Sequence, residues 1–386
     1  MKKYLEAEDI QLVFSGRNYF EILEQIIDNS KEVLHLQTYI FATDETGLKV
    51  INSLKKAAAR GVNVFVLSDA YGSFPFKKEA IKDLEQSGIR FRLYSPLFSS
   101  ESIFFGRRLH HKIVVADKRV ALIGGINVAD KYNFINEEEA WLDYAVYIKG
   151  TVCEYPDLLC EAVFKRKRRR LFSWENKIHR DLATGSGKLI RFRRNDFIKQ
   201  KNEIHRSYME GITKAENSIT IVASYFLPGY HFRRLLRLAA ARGVKTRIIL
   251  AGKSDVLSVN LAQHYLYEFY LTNNIELFEW QNSILHGKAM LVDHTWVTIG
   301  SYNLNFLSHY ISIELNVDII DRHFIHDFSS HIETILQDCC TKVDLDKVRR
   351  NTHFFDKLKT KLAYVFHRTI MNIVMMGRTR KKRKQH

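Results

Sequence analysis

An internal repeat constrains this chain more than any other feature. Around Tyr39 the sequence reads VLHLQTYIF, then a helix-patterned stretch ending in AAARG at Ala57–Gly61, then the apolar run VNVFVLS. Around Tyr225 the same order recurs as SITIVASYF, a second AAARG at Ala239–Gly243, and VKTRIILA. Matched points lie 186 and 182 residues apart, so the 386-residue chain holds two copies of one folding unit, each long enough to bury a core. Periodic helix-length stretches alternate with short apolar runs, which is the pattern of an α/β domain. The spacing predicts helices over 19–29, 47–60 and 77–87 with strands over 33–41, 62–68 and 89–94 in the first copy. In the second it predicts helices over 201–216, 230–242 and 258–273, with Gly61 and Gly243 as helix C-terminal stops.

Residues 165–198 carry the run KRKRRR at Lys165–Arg170 and then LATGSGK, which reads as a linker between the copies. The chain therefore divides into an N-terminal half over 1–164, this linker, a C-terminal half over 199–345 and a basic amphipathic tail over 346–386. Lys and Arg number 59 against 43 Asp and Glu, a net charge of +16 that draws the protein to polyanions: nucleic acid, anionic membrane or phosphorylated substrates. With 46% hydrophobic residues and only 4 prolines the bulk of the chain folds rather than staying disordered. Cys153, Cys160, Cys339 and Cys340 have no metal-ligand spacing and form no disulfide framework, which fits a reducing compartment. The opening MKKYLEAEDIQLVF lacks the apolar run of a signal peptide, and no stretch is long enough to span a bilayer, so membrane contact is expected to be peripheral.

The chemistry concentrates in one duplicated motif. HHKIVVADKRVALIGGIN contains His110, Lys112 and Asp117, and HGKAMLVDHTWVTIGSYN contains His286, Lys288 and Asp293, both as HxK(x)4D. Gly124 and Gly300 follow each Asp at +7, and Asn127 and Asn303 at +10. Residues i and i+2 of a strand share a face, so the imidazole and ammonium of each motif meet one ligand, while His111 faces the other way as a spectator. Asp117 and Asp293 complete the motif and are grouped with its catalytic residues, although their position before the turns DKR and DHT makes a bond to backbone their first role. Two histidines brought together suit displacement at a phosphodiester: one attacks phosphorus and the other protonates the departing oxygen. Two lysines and two asparagines then stabilise the non-bridging oxygens, and no metal or other cofactor is demanded. Asp143 in WLDYAVYI and Glu314 in ISIELNV lie 33 and 28 residues after His110 and His286, in apolar segments that otherwise exclude charge. They are the candidates to orient the histidines.

On these residues the chain resembles the phospholipase D superfamily, whose signature is HxK(x)4D with GGxN or GSxN, twice in one chain. Beyond the motifs it looks like the bacterial cardiolipin synthases that lack N-terminal transmembrane helices, over roughly residues 8–345. The resemblance implies a duplicated α/β/α sandwich, two pseudo-symmetric halves sharing one active site. It further implies a phosphatidyl-transfer enzyme that joins two phosphatidylglycerols into cardiolipin with loss of glycerol, with His110 as nucleophile and His286 as acid and base. The partners implied are anionic phospholipid and a membrane surface, the cytoplasmic side of a bacterial membrane, with no nucleic acid and no obligate protein partner. The motif alone leaves other readings open: a phospholipase D-like nuclease, or transfer to water, another alcohol, or from phosphatidylethanolamine.

Three segments offer membrane contact: KRKRRR with Leu171, Phe172 and Trp174; Phe104 and Phe105 ahead of the first motif; and Leu362–Met376 followed by the basic Arg378–Lys384. For 362–376 an interfacial helix and a helix packed on the protein's own core are equal expectations.

Overall fold

The computed structural model describes residues 3–74, 76–95, 98–99, 102–103, 107–135, 139–165, 186–196, 201–350 and 354–383. The KRKRRR run beyond Lys165, Leu171, Phe172, Trp174, Phe104 and Phe105 lie outside the described residues.

The first half contains β1 (Asp9–Phe14), α1 (Arg17–Asn29), β2 (Val33–Thr38), α2 (Glu45–Ala59), β3 (Asn63–Asp69), α3 (Lys78–Gln86), β4 (Arg90–Tyr94), β5 (Lys112–Ala116), β6 (Val120–Gly124), β7 (Tyr144–Lys149) and α4 (Glu154–Phe164). The second contains β8 (Leu189–Asp196), α5 (Glu203–Lys214), β9 (Ser218–Ala223), α6 (Tyr230–Ala241), β10 (Lys245–Ala251), α7 (Leu257–His264), α8 (Tyr267–Thr272), β11 (Ile275–Trp280), β12 (Lys288–Val292), β13 (Trp296–Gly300), β14 (Ser312–Ile320) and α9 (Arg322–Asp338). One sheet runs β1-β7-β6-β5-β2-β3-β4 and the other β8-β14-β13-β12-β9-β10-β11, so the strand orders correspond position by position. Among the strands of these two orders, parallel pairs occur only between the last three, and the motif strand is antiparallel to its neighbours.

Burial explains the layering. Leu34, Leu36, Val64, Val66 and Val114 turn one face of the first sheet toward Leu23, Ile27, Val50 and Leu54 of α1 and α2. Ile219, Ile221, Ile248 and Met290 do the same for the second sheet against Tyr208, Ile212 and Leu236. The opposite faces share a single core, where Ile113, Val115 and Ile123 of one half join Leu291, Ile299 and Val317 of the other, with α4 and α9 between. Alternation along each strand thus sends every second residue to a private core and the others to the common one.

Two expectations are corrected. Residues 189–196, assigned to the linker, are β8, paired antiparallel with β14. The arginines that made LIRFRRND read as linker sit on a ladder: Arg191 and Arg193 both bond the Asp318 carboxylate, at 3.0 and 2.9 Å, while Ile190 and Phe192 are fully buried. The helix expected over 258–273 is two, α7 and α8. With that break Tyr267 and Tyr270 are both buried, and Tyr267 Oη donates to Glu279 at 2.8 Å.

Candidate active site

Each motif strand ends in a tight hairpin. Asp117 and Lys118 have φ of 52° and 58°, and Asp293 and His294 both 52°, left-handed backbone at the two central positions of β-turns closed by Arg119 N–H to Ala116 O and Thr295 N–H to Val292 O, where Asp is tolerated. The Asp117 carboxylate accepts the backbone N–H groups of Lys31, Glu32 and Val33 at 2.8, 2.8 and 2.9 Å. Asp293 accepts those of Glu216, Asn217 and Ser218 at 2.9, 2.8 and 2.7 Å. These carboxylates sit at the opposite ends of β5 and β12 from the histidines and pin the start of β2 and β9. Grouping them with the catalytic residues is therefore corrected: their work is architectural, as the turn position suggested. Asp117→Asn is expected to lower the unfolding midpoint by several degrees, since weakening three charge-assisted bonds costs about 1–3 kcal/mol, with kcat on the folded fraction within about twofold of wild type. Thermal melts beside steady-state assays check it.

The other motif residues converge where the halves meet. Arg108–Leu109 pairs in parallel with Ser312–Ile313, and Leu142 bridges Leu285 in the same sense. His110 N–H donates to Ile313 O at 3.0 Å, and His286 N–H to Leu142 O at 2.8 Å. Each motif histidine is thereby laid beside the acid of the opposite half. His110 Nδ1 sits 2.9 and 3.0 Å from the two Glu314 oxygens, and His286 Nδ1 sits 2.5 Å from Asp143 Oδ2. Both carboxylates are fully buried. The sequence order, which set Asp143 after His110 and Glu314 after His286, gave no hint of this exchange.

The glycine pattern follows from the acids. A Cβ on Gly125 would stand 2.3 Å from Asp143 Oδ1, so no side chain fits beside that carboxylate. Ser301 takes the equivalent place in the second half, and its Oγ donates to Glu314 Oε2 at 2.5 Å. GGxN and GSxN are therefore the marks of two differently supported acids.

The lysines are almost fully enclosed. Lys112 Nζ donates to His110 O at 2.6 Å and lies 5.4 Å from the centre of the Tyr39 ring. Lys288 Nζ bonds His286 O and lies 3.5 Å from Asp143 Oδ2. Burial pulls Lys112 down to about 7, with Glu314 opposing the fall and Lys288 adding to it. Burial pulls Lys288 down to about 8 against Asp143 and Glu314. It also lowers His110 and, reinforced by Lys288 and Lys112, takes His286 well below the ordinary imidazole value, while Asp143 is raised to about 6. Four bases crowded against two carboxylates make a place where an anion is the favoured guest.

Histidines and asparagines line one cavity of about 520 Å³, walled by both halves. Asn127 Oδ1 accepts the Ile40 N–H at 3.0 Å, and its amide donates to Tyr132 Oη at 2.8 Å. Tyr132 Oη in turn lies 3.4 Å from His286 Nε2. Asn303 is buried on the opposite wall, its Oδ1 without a hydrogen-bond partner among the described residues. His111 turns away, as expected, and bonds Gln37 at 2.8 Å through Nε2.

The family profile described as "Cardiolipin synthase, PLD-like domain" matches residues 23–151 and again 208–336. The cardiolipin synthases B of Shigella flexneri and Escherichia coli K12 are each 34% identical over 370 residues, covering 94% of this chain and 88% of theirs. The chain belongs to the cardiolipin synthase family of phospholipase D-like proteins. Its fold is similar to the crystal structure of phosphatidylserine synthase from Haemophilus influenzae, with a TM-score of 0.73 at 14% identity over 97% of both chains. The duplicated α/β fold expected from the repeat is thus the family's own.

Several cavity residues escaped the motif reading of this family member. Tyr39 packs on His110 with ring centres 4.9 Å apart, and Tyr225 faces His286 edge-on at 6.3 Å. They are matched points of the repeat, so the alignment that revealed the duplication also marked them. Tyr132 and Trp141 flank His286 at 5.2 and 5.9 Å from irregular segments that no periodicity signals.

Proposed function

We propose that this enzyme joins two phosphatidylglycerol molecules into cardiolipin, with His110 as nucleophile and His286 as acid and base. The carrying observation is the pair of imidazoles, each with Nδ1 held by a buried carboxylate of the opposite half, that line one cavity. A carboxylate on Nδ1 fixes the tautomer that presents Nε2 to the substrate. His110 Nε2 attacks phosphorus and forms the P–N bond as the P–O bond to glycerol breaks; protonated His286 gives the departing oxygen its proton. His286 then takes the proton of the second phosphatidylglycerol's hydroxyl, which attacks phosphorus and releases His110. Lys112, Lys288, Asn127 and Asn303 balance the charge that builds on the non-bridging oxygens. Entry of the phosphodiester anion raises the depressed affinities of His286 and the lysines for protons, supplying the acid the first step needs.

The enzyme works from the cytoplasmic face of the membrane, bound peripherally. No helix among the described residues is long and apolar enough to cross a bilayer. The support lies in the helix Phe354–Arg383. One of its faces packs on the protein: Tyr364 stacks on Tyr265 at 4.8 Å and accepts a bond from Arg233 at 2.9 Å, and His367 meets Ser258 at 3.3 Å. The opposite face shows Phe355, Leu358, Leu362, Val365 and Phe366 to solvent, with Phe355 71% and Leu362 and Phe366 each 58% exposed. At 100° per residue these five fall within one stripe about 100° wide, and Lys359 and Lys361 flank it. That is the design of an interfacial helix. Replacing Phe355, Leu362 and Phe366 together by Glu is expected to weaken binding to phosphatidylglycerol vesicles by more than about tenfold, each buried side chain being worth about 1.5–3 kcal/mol. Vesicle sedimentation measures this, and unchanged binding would remove the helix from the membrane contact.

The function is tested by incubating the protein with phosphatidylglycerol vesicles and following lipids by mass spectrometry. Cardiolipin with released glycerol is the expected product. Phosphatidic acid alone would make the enzyme a hydrolase, and no lipid product would overturn the reading.

A further inference from the structure

Cardiolipin synthesis brings two phosphates to one site, whereas the duplicated motif cradles one. The donor phosphate takes both histidines, both lysines and both asparagines, an arrangement symmetric about the pseudo-two-fold. The acceptor arrives carrying a phosphodiester of its own, three carbons from the hydroxyl that attacks. A second anion in a confined cavity needs a second cation, and it must lie on the side where the acceptor hydroxyl is deprotonated.

Two further cations line the cavity, Arg108 and Lys131. Arg108 is drawn into the wall by Asp69 at 3.3 Å and Ser95 at 3.2 Å. Lys131 differs. It sits in the single turn Asp130–Tyr132, and its ammonium rests on the Trp141 ring, 4.1 Å from the centre, rather than in an ion pair among the described residues. Burial lowers its affinity for the proton, and its charged neighbours Asp255 and Asp44 oppose that fall. Trp141 also flanks His286, so this ammonium lies one indole ring away from the imidazole assigned to the acceptor hydroxyl. The repeat gives it no twin: four residues beyond Asn127 the first half has Lys131, and four beyond Asn303 the second has Leu307. The cation therefore breaks the symmetry of the motif on the side where the reaction itself is asymmetric.

We propose that Lys131, held over Trp141, forms the subsite for the acceptor lipid's phosphate, and so selects a phosphatidylglycerol hydroxyl over water or a simple alcohol. This rests on the cardiolipin-synthase reading and deepens it. The charged contact is absent when the acceptor carries no phosphate, which gives the test. Wild type, Lys131→Gln and Lys131→Arg are each given phosphatidylglycerol vesicles with added ethanol, and cardiolipin and phosphatidylethanol are quantified from the same reaction. Both products share donor binding and the first chemical step, so their ratio isolates the acceptor. The ratio should fall at least about tenfold in Lys131→Gln, as expected for loss of a charge-assisted contact, and stay within about threefold of wild type in Lys131→Arg. A ratio in Lys131→Gln equal to that of wild type would overturn the subsite, whatever the total activity. Wild type forming phosphatidylethanol but no cardiolipin would instead overturn the functional reading beneath it, and that result appears before any variant is compared.

Discussion

Replacing His110 or His286 by Ala should lower phosphatidyl transfer from phosphatidylglycerol by at least about 10⁴-fold, because each step needs both imidazoles. The two variants separate on a donor whose leaving group needs no proton. With a phosphatidyl ester of p-nitrophenol, His286→Ala should still release one equivalent of p-nitrophenolate in a burst, at a rate within about tenfold of wild type, and then stall. His110→Ala should release none. The opposite pattern would exchange the roles of the two histidines, and a full-rate steady state in either variant would end the two-histidine mechanism. Folding is the confounder. Glu314 is fully buried, and deleting the His110 ring leaves it with Ser301 as its remaining side-chain donor among the described residues. An unpaired buried carboxylate is costly, so His110→Asn, which keeps an N–H to offer Glu314, is the companion variant; its melting temperature should lie closer to wild type while its burst stays absent.

The fold was legible because the chain states it twice. Strands β2, β3 and β4 and helices α1, α2 and α3 fall where the 2- and 3.6-residue periods place them, within a few residues at each end. The site was legible in its residue types, because the i, i+2 spacing of HxK keeps each lysine beside its own histidine. What lay beyond reach were the relations between segments far apart in sequence. LIRFRRND hid a strand because its arginines answer Asp318 on a partner strand that local pattern cannot see. Tyr132, Trp141 and Lys131 come from a turn and an irregular stretch, where neither period applies. The exchange of acids between halves is the clearest case. It is set by two parallel contacts, Leu109 with Ile313 and Leu142 with Leu285, each joining residues more than 140 positions apart. A face argument works within one strand, and it says nothing of which strand comes alongside.

That exchange yields the sharpest remaining prediction. If each acid served the histidine of its own half, Asp143→Asn would damage the nucleophile and Glu314→Gln the acid. The structure assigns them the other way, with Glu314 on His110 and Asp143 on His286. Either amide should cost about 10²–10⁴-fold in kcat, the range for a base that loses the carboxylate holding its tautomer. On the p-nitrophenol donor the two should part company. Asp143→Asn should keep its burst, as His286→Ala does, because no proton is needed by the leaving group; Glu314→Gln should lose the burst with His110→Ala. The second step sharpens the contrast, since a phosphatidyl-enzyme formed by Asp143→Asn still lacks an effective base for the incoming hydroxyl and should accumulate to a level visible by intact-protein mass spectrometry. A phosphatidyl adduct building up in Glu314→Gln and missing from Asp143→Asn would return each acid to its own half. Because the carboxylate and its imidazole reach the site from different halves, catalysis also requires the two to be docked. A change that loosens the Leu142–Leu285 contact, such as Leu285→Gly, should therefore reproduce the Asp143→Asn phenotype without touching a charged group.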